Sequence, residues 1–344
     1  MSACPFWYRS TTEPPKVGVS SGRTVRNWLR SLLPEPEVRG KMIVLHSRET
    51  FPKASWGGLR SEYHGLFSEF HSVLGGLAYG EAQRAVGVRV EFRSPLYVEA
   101  ERGPNWWTYF FEQAAMRLGR HTSESTSDVH LDKIITKYGR YGGFSDIVQG
   151  STPYLYPMTY GICRSGLHRL LTAHICIRAE IRDEAAQFTA AQFEPGAYVV
   201  GVHYRGTDAT HNWTGAFTQY RTRPVPYLAY ADEVRRVLEA AAPRVYQIFV
   251  ATDELTFLDF MQREFGDRVC QFEGSPRVHA GGMAVHLDRH LPVSNYQKGK
   301  SALVDAIVLA GTSYLIKGRS NLSDASLAFN LELPYSFCPD VAVG

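Results

Sequence analysis

From Glu194 onward the chain alternates short apolar runs with amphipathic stretches of helical length, and this alternation restricts the fold more than any other feature. Ala197 to Tyr204 (AYVVGVHY), Val245 to Thr252 (VYQIFVAT), Arg268 to Phe272 and Ser313 to Lys317 read as strands. Tyr227 to Ala242, Glu254 to Phe265, Gly299 to Ala310 and Asn321 to Asn330 read as helices, with Gly266 closing the second. Strands separated by helices of this length form right-handed βαβ units, so the second half is expected to be a doubly wound parallel sheet. Ligands of such sheets bind beyond the carboxyl ends of the strands. The residues there are Arg205, Gly206, Thr207 and Asp208, then Asp253 and Glu254, then Gly318, Arg319, Ser320 and Asn321.

The first half is less regular. A strand begins at Lys41, and Leu66 to Ala82 reads as a helix with Leu66, Phe70, Val73, Leu74 and Leu77 at helical spacing. Gly75 and Gly76 inside it suggest a close approach of another backbone. A second strand starts at Val86 (VGVRVEF), and the cluster Asn105-Trp-Trp-Thr-Tyr-Phe-Phe is expected mainly in the core. Gly143 to Pro157 reads as a loop over a cleft, and Gly166 to Gln187 as one long helix. The first forty residues, with TTEPPK and LPEPEV, read as an irregular arm. With 344 residues, at roughly 150 per domain, two domains are expected. They are placed at 1–190 and 191–344.

Composition removes several function classes. A chain that is 44% apolar and 21% charged is globular rather than disordered. A net charge of +3 supplies no field for nucleic acid. The longest apolar stretch, Ala302 to Ile316, carries Asp305 and falls short of the roughly 20 residues a membrane span requires. The start lacks the charged-then-apolar order of a secretory signal. Five scattered cysteines with no C-x-x-C pair argue against a disulfide framework or a zinc cluster and suit a reducing cytoplasm.

Three clusters remain as candidates for chemistry. In His203-Tyr-Arg-Gly-Thr-Asp208, strand alternation puts His203 and Arg205 on one side, and Gly206 permits a sharp turn. The guanidinium suits bidentate phosphate recognition, although an Arg–Asp pair tying down a loop would use the same letters. Ser320-Asn-Leu-Ser-Asp324 opens a helix after a strand, which makes either an anion site or an ordinary N-cap. Asp305 stands in an apolar helix, where a carboxylate is costly unless a donor meets it. Sheet topology brings all three to one edge.

Together, VGVHYRGTD, VATDE and KGKSALVDAIVLAGTSYLIKGRSNLSDASLAFN resemble the three-motif pattern of the α1,6-fucosyltransferase and peptide O-fucosyltransferase superfamily, in particular its bacterial nodulation-fucosyltransferase-like branch. The resemblance covers about the last 150 residues; upstream it is patchy. It implies a GT-B fold, two Rossmann-like domains facing across a cleft, with the acceptor on the first and the nucleotide sugar on the second. The implied reaction is transfer of fucose from GDP-fucose to a hydroxyl of an oligosaccharide or glycoconjugate, with inversion and no metal. By resemblance, His203 and Asp305 contact guanine, Arg205 grips the β-phosphate, and Ser320 assists from the helix start beside Asn321. Asp253 matches a carboxylate required for activity, and Asp208 matches the acid closing the first motif. No D-x-D pair follows any strand, so a cationic side chain must neutralise the leaving diphosphate, and Arg205 is the natural choice.

Ala209 stands where many relatives have lysine, and the acid that usually comes next as the base is absent. His211 could act as the base, or could be an ordinary loop histidine. These departures leave open a transferase of another nucleotide sugar, or a non-catalytic nucleotide- or sugar-binding protein. Ser294-Asn-Tyr-Gln-Lys-Gly-Lys-Ser301 resembles a P-loop lacking its first glycine and its leading strand, so nucleotide hydrolysis is disfavoured, though Lys298 or Lys300 could touch the donor phosphate. His286-Leu-Asp-Arg-His290 has zincin-like spacing without the glutamate and reads better as a solvated or acceptor-facing loop.

Overall fold

The computed structural model of the chain describes residues 39–46, 65–82, 84–113, 126–130, 164–207, 225–318 and 320–338. The expected arm, the loop at Gly143 to Pro157, Asp208 and His211 lie outside the described residues. Two compact units divide the chain, 1–176 and 177–344.

In the first unit, β1 (Met42–His46) pairs in parallel with β2 (Gly87–Glu91) on one side and β3 (Thr126–His130) on the other. Helix α1 (Leu66–Ala82) has the bounds its apolar spacing predicts. It lies so close to β1 that a Cβ on Gly76 would stand 2.5 Å from Leu45 Cδ1. The short helix α2 (Trp107–Phe110) comes just after Asn105, whose side chain joins it to the sheet. Asn105 Oδ1 accepts from the amides of Phe92 (3.0 Å) and Trp107 (3.3 Å), and its Nδ2 donates to the Val90 carbonyl (2.7 Å). Trp106, Trp107, Phe110 and Phe111 are thereby turned into the core, where Trp107 stacks on Phe111 at 4.0 Å between ring centroids.

The expected single helix from Gly166 to Gln187 is two helices, α3 (Arg164–His174) and α4 (Ala179–Gln192). The break falls where the chain passes between units. The Cys176 carbonyl accepts from the Glu112 amide (2.9 Å) in the first unit, and Arg178 is extended (ψ 143°) at the start of α4. Helix α4 therefore falls within the second unit, and the expected boundary at 190 lies inside it.

The second unit keeps closely to the expected alternation. It contains β4 (Tyr198–Tyr204), α5 (Tyr227–Ala241), β5 (Tyr246–Thr252), α6 (Leu255–Phe265), β6 (Val269–Cys270), α7 (Asn295–Ala310), β7 (Tyr314–Lys317), α8 (Asn321–Phe329) and β8 (Tyr335–Phe337). The five strands form one parallel sheet in the order β6-β5-β4-β7-β8. Val200, Val202 and Tyr204 of β4 face α5 and α6, in a cluster with Tyr230, Val234, Phe257 and Met261. The alternate face meets α4 and α7: Phe188 packs edge-on against Phe249 at 5.5 Å, and Gly201 has Thr312 and Leu309 against it. Both faces are covered, so the interiors of β4, β5 and β7 are mostly apolar, with His203 and Gln247 the buried polar exceptions.

Candidate functional site

Strand β4 delivers His203 and then Arg205. His203 pairs in register with Ala251 of β5 and Lys317 of β7, so the polar segments after these three strands emerge side by side. The turn after β4 is held by the residues after β5. The Gly206 amide donates to Asp253 Oδ1 (2.8 Å) and Thr207 Oγ1 donates to Asp253 Oδ2 (2.7 Å), so both oxygens of Asp253 accept from this turn. Thr207 is buried with φ +31°, a left-handed conformation unfavourable for a β-branched residue and found where surrounding contacts over-determine the backbone. A Cβ on residue 206 would collide with the Glu254 side chain, so any larger residue there requires that side chain to move. Arg205 is half-buried between these fixed points.

Asp253 and Glu254 are in turn immobilised by residue 278. The Val278 amide donates to the Asp253 carbonyl (3.0 Å), and the Leu255 amide donates to the Val278 carbonyl (2.8 Å), continuing the pairing of β5 beyond its end.

His203 is buried, and burial together with the Lys317 and Arg205 charges holds its pKa down to about 3. Its ring is neutral at any working pH, and Nδ1 is buried with no hydrogen-bond partner among the described residues. Asp305 projects from α7. Ser275 Oγ donates to its Oδ2 (2.7 Å), while Oδ1 is buried and unpartnered among the described residues. Burial pushes this carboxyl up to about 7; the Arg277 charge and the Ser275 hydrogen bond oppose that rise. Arg277 is anchored by donating to the carbonyls of Ser275 (2.9 Å) and Phe272 (3.2 Å).

On the other flank, Lys317 Nζ meets Asp324 Oδ1 at 2.6 Å with both side chains fully buried, and lies 5.6 Å from the Phe337 ring centroid. This pair clamps the first turn of α8 onto β7. Ser320 caps that helix, its Oγ accepting from the Leu322 amide (3.3 Å), and Asn321 is buried beside it. A helix start of this kind presents oriented amides to an anion.

The Lys300 ammonium pairs with Glu184 of α4 at 2.8 Å. Lys298 donates to the Asp288 carbonyl (2.6 Å). Among the described residues no group of His, Cys, Asp and Glu has the arrangement of a metal site, and no helix is long and apolar enough to cross a membrane.

The structure thus brings His203, Arg205, Asp253, Ser320 and Asn321 to one edge of the sheet, with Asp305 beneath the 272–278 segment. Sequence reasoning passed over Ser275, Arg277, Tyr227 and the Lys317–Asp324 pair. A lysine closing the apolar run YLIK, with an acid seven residues on, was a usable signal for the last. Nothing in the loop sequence marks Ser275 or Arg277.

No protein-family model matches the chain, and no curated protein matches it. Among solved structures it is similar to fucosyltransferase NodZ from Bradyrhizobium (16% identity, TM-score 0.46, covering 84% of this chain and 92% of that one). It is similar also to Arabidopsis thaliana FUT1 in complex with GDP (10%, TM-score 0.47, 92% and 74%). A third similar structure is POFUT1 in complex with GDP (11%, TM-score 0.45, 87% and 98%).

Proposed function

We propose that the chain is a metal-independent, inverting glycosyltransferase of GT-B type, moving fucose from GDP-fucose to a hydroxyl of an oligosaccharide or glycoconjugate. The second unit binds the donor and the first serves the acceptor. The observation that carries this reading is the pinned turn presenting Arg205 at the end of β4, beside the capped start of α8 at the end of β7. Negative charge grows on the diphosphate as the sugar departs. A guanidinium and a helix N-terminus fixed in advance stabilise that charge without reorganising.

Asp305, with one oxygen held by Ser275, offers the other to the N–H edge of a guanine, and neutral His203 lies on the same face of the sheet. Asp253 acts by shaping the turn, since both its oxygens are engaged there. Asp208 and His211 complete the proposed catalytic set, with His211 the candidate base for the acceptor hydroxyl.

Arg205→Ala should lower GDP-fucose turnover by roughly 10²–10³-fold while leaving the thermal melt in place; retained turnover overturns the phosphate role. Comparing the melting shifts given by GDP, UDP and TDP tests the donor. A larger shift with UDP or TDP replaces GDP-fucose by another nucleotide sugar. A shift with GDP but no turnover makes the chain a binding protein.

A further inference from the structure

Glu254 is fully buried just beyond the end of β5, and its carboxylate makes no hydrogen bond to the helix it begins. It occupies the N-cap position of α6 and makes no side-chain cap. Glutamate is not among the residues favoured there, and its charge at the helix start gains only the interaction with the macrodipole. One of its oxygens, Oε1, accepts from the Tyr227 hydroxyl. The other, Oε2, is buried without a hydrogen-bond partner among the described residues and lies directly against Gly206. Leaving a carboxylate oxygen unsatisfied in the interior is costly, and persists only where something else is gained.

The surrounding side chains show the gain. The Tyr227 ring meets Tyr204 edge-on at 5.4 Å and Phe257 at 5.4 Å, while Tyr204 stacks on Phe257 at 4.2 Å. The residue before Arg205 is therefore locked in an aromatic box. The residue after it is backed by Glu254 and hydrogen-bonded by Asp253. Burial and the bond to Glu254 raise the Tyr227 hydroxyl pKa, so it remains a donor throughout the working pH range.

We propose that Glu254 is a positioning residue for Arg205: supported by Tyr227, it forms a buried wedge against Gly206 that fixes the turn from which the guanidinium projects. The consequence for catalysis rests on the donor-site reading; the positioning itself does not. Arg205 is held by its two backbone neighbours, and Asp253 and Glu254 divide the work between hydrogen bonding and steric support.

The test has two arms on the full chain. In the first, the guanidinium Nε–H resonance of Arg205, assigned by its loss in Arg205→Lys, is followed by NMR without any ligand. It should be sharp in the wild type and broadened or shifted in Glu254→Gln and Glu254→Ala. An unchanged resonance in both variants overturns the proposal. In the second arm, GDP-fucose turnover by Glu254→Gln should fall about 10²-fold, the scale expected for a misplaced catalytic group, mostly in kcat rather than KM. Adding Glu254→Gln to Arg205→Ala should cost nothing further. An equal loss in both backgrounds assigns Glu254 a general structural role and overturns the proposal. If the resonance responds but wild type neither binds GDP nor consumes GDP-fucose, the positioning stands and the donor-site reading falls.

Discussion

Strands β2 and β4 each run in a parallel sheet, β2 at the edge of its three strands and β4 at the centre of its five. Their continuations differ. Beyond β2 comes Phe92, packed 5.2 Å from the Trp106 ring and 5.7 Å from that of Trp107, and the strand end is sealed by an aromatic core. Beyond β4 and its neighbours come Arg205, Asp253, Glu254 and Ser320, with Lys317 closing β7, and carboxylates and an ammonium are taken out of water. Topology makes both edges possible ligand sites, and side-chain chemistry selects one. An apolar seal stabilises through area alone, whereas a buried charge stabilises only while every partner is present.

That difference gives the largest expected effects. Lys317→Met strands the Asp324 carboxylate in the interior and should cost about 3–5 kcal/mol in urea unfolding. Trp107→Ala should cost a similar amount, about 3–5 kcal/mol, through the cavity it leaves. The two should part on repair. Lys317→Met combined with Asp324→Leu should recover most of the loss, because a well-packed apolar pair replaces a buried ion pair at little cost. If the double variant is no more stable than Lys317→Met alone, the charge account of this edge fails.

A smaller effect probes how tightly the first unit is packed. In Gly76→Ala the new methyl must displace the Leu45 side chain, with an expected loss of about 1–3 kcal/mol in thermal unfolding. Shortening the neighbour in Gly76→Ala/Leu45→Val should return part of it; no recovery would place the strain elsewhere.

Much of this fold is legible in the sequence, and unevenly. The strands and helices of the second unit can be read because each strand is a continuous apolar run bounded by turn residues, and α1 because its stripe has a clean helical period. The break between α3 and α4 cannot, since both segments are helical in composition and the interruption comes from a division between units. Arg205 and Ser320 are legible as polar residues placed where strands and helices meet, and Asp305 as a carboxylate within an apolar helix. The wedge on Gly206 is not: Glu254 can be recognised as a strand-end residue, but its partner Tyr227 lies 27 residues upstream and is joined to it only by packing.

Asp305 gives a pH signature that the aromatic edge cannot imitate. Its carboxyl sits at about 7 in the fold against 3.8 ordinarily, so the folded chain holds the proton more tightly than the unfolded one. The stability this group contributes is complete below the ordinary value and is lost as pH rises through about 7. A ligand donating N–H groups to the ionised form should respond in the opposite sense. GDP affinity should rise as pH approaches 7 from below, by up to about 1.4 kcal/mol per unit, and then level off. Asp305→Asn should flatten both trends between pH 5 and 8; an unaltered affinity profile in that variant would assign the titration to another group.

The smallest effect concerns Lys300, which the sequence offers to the donor phosphate and the structure pairs with Glu184. The two readings differ in what the ammonium is for. As a tether between α4 and α7 it is a partly exposed ion pair, and Lys300→Met should cost no more than about 1 kcal/mol. GDP affinity should then stay within about twofold of wild type, since exposed charges of this kind contribute little at a distance. As a phosphate ligand it would act in the opposite proportion, with little change in unfolding and a loss of GDP affinity near tenfold, the scale of a charge-assisted hydrogen bond. Glu184→Gln separates them further. It should destabilise as much as Lys300→Met if the pair is a tether, and should strengthen GDP binding if the carboxylate competes with phosphate for the ammonium.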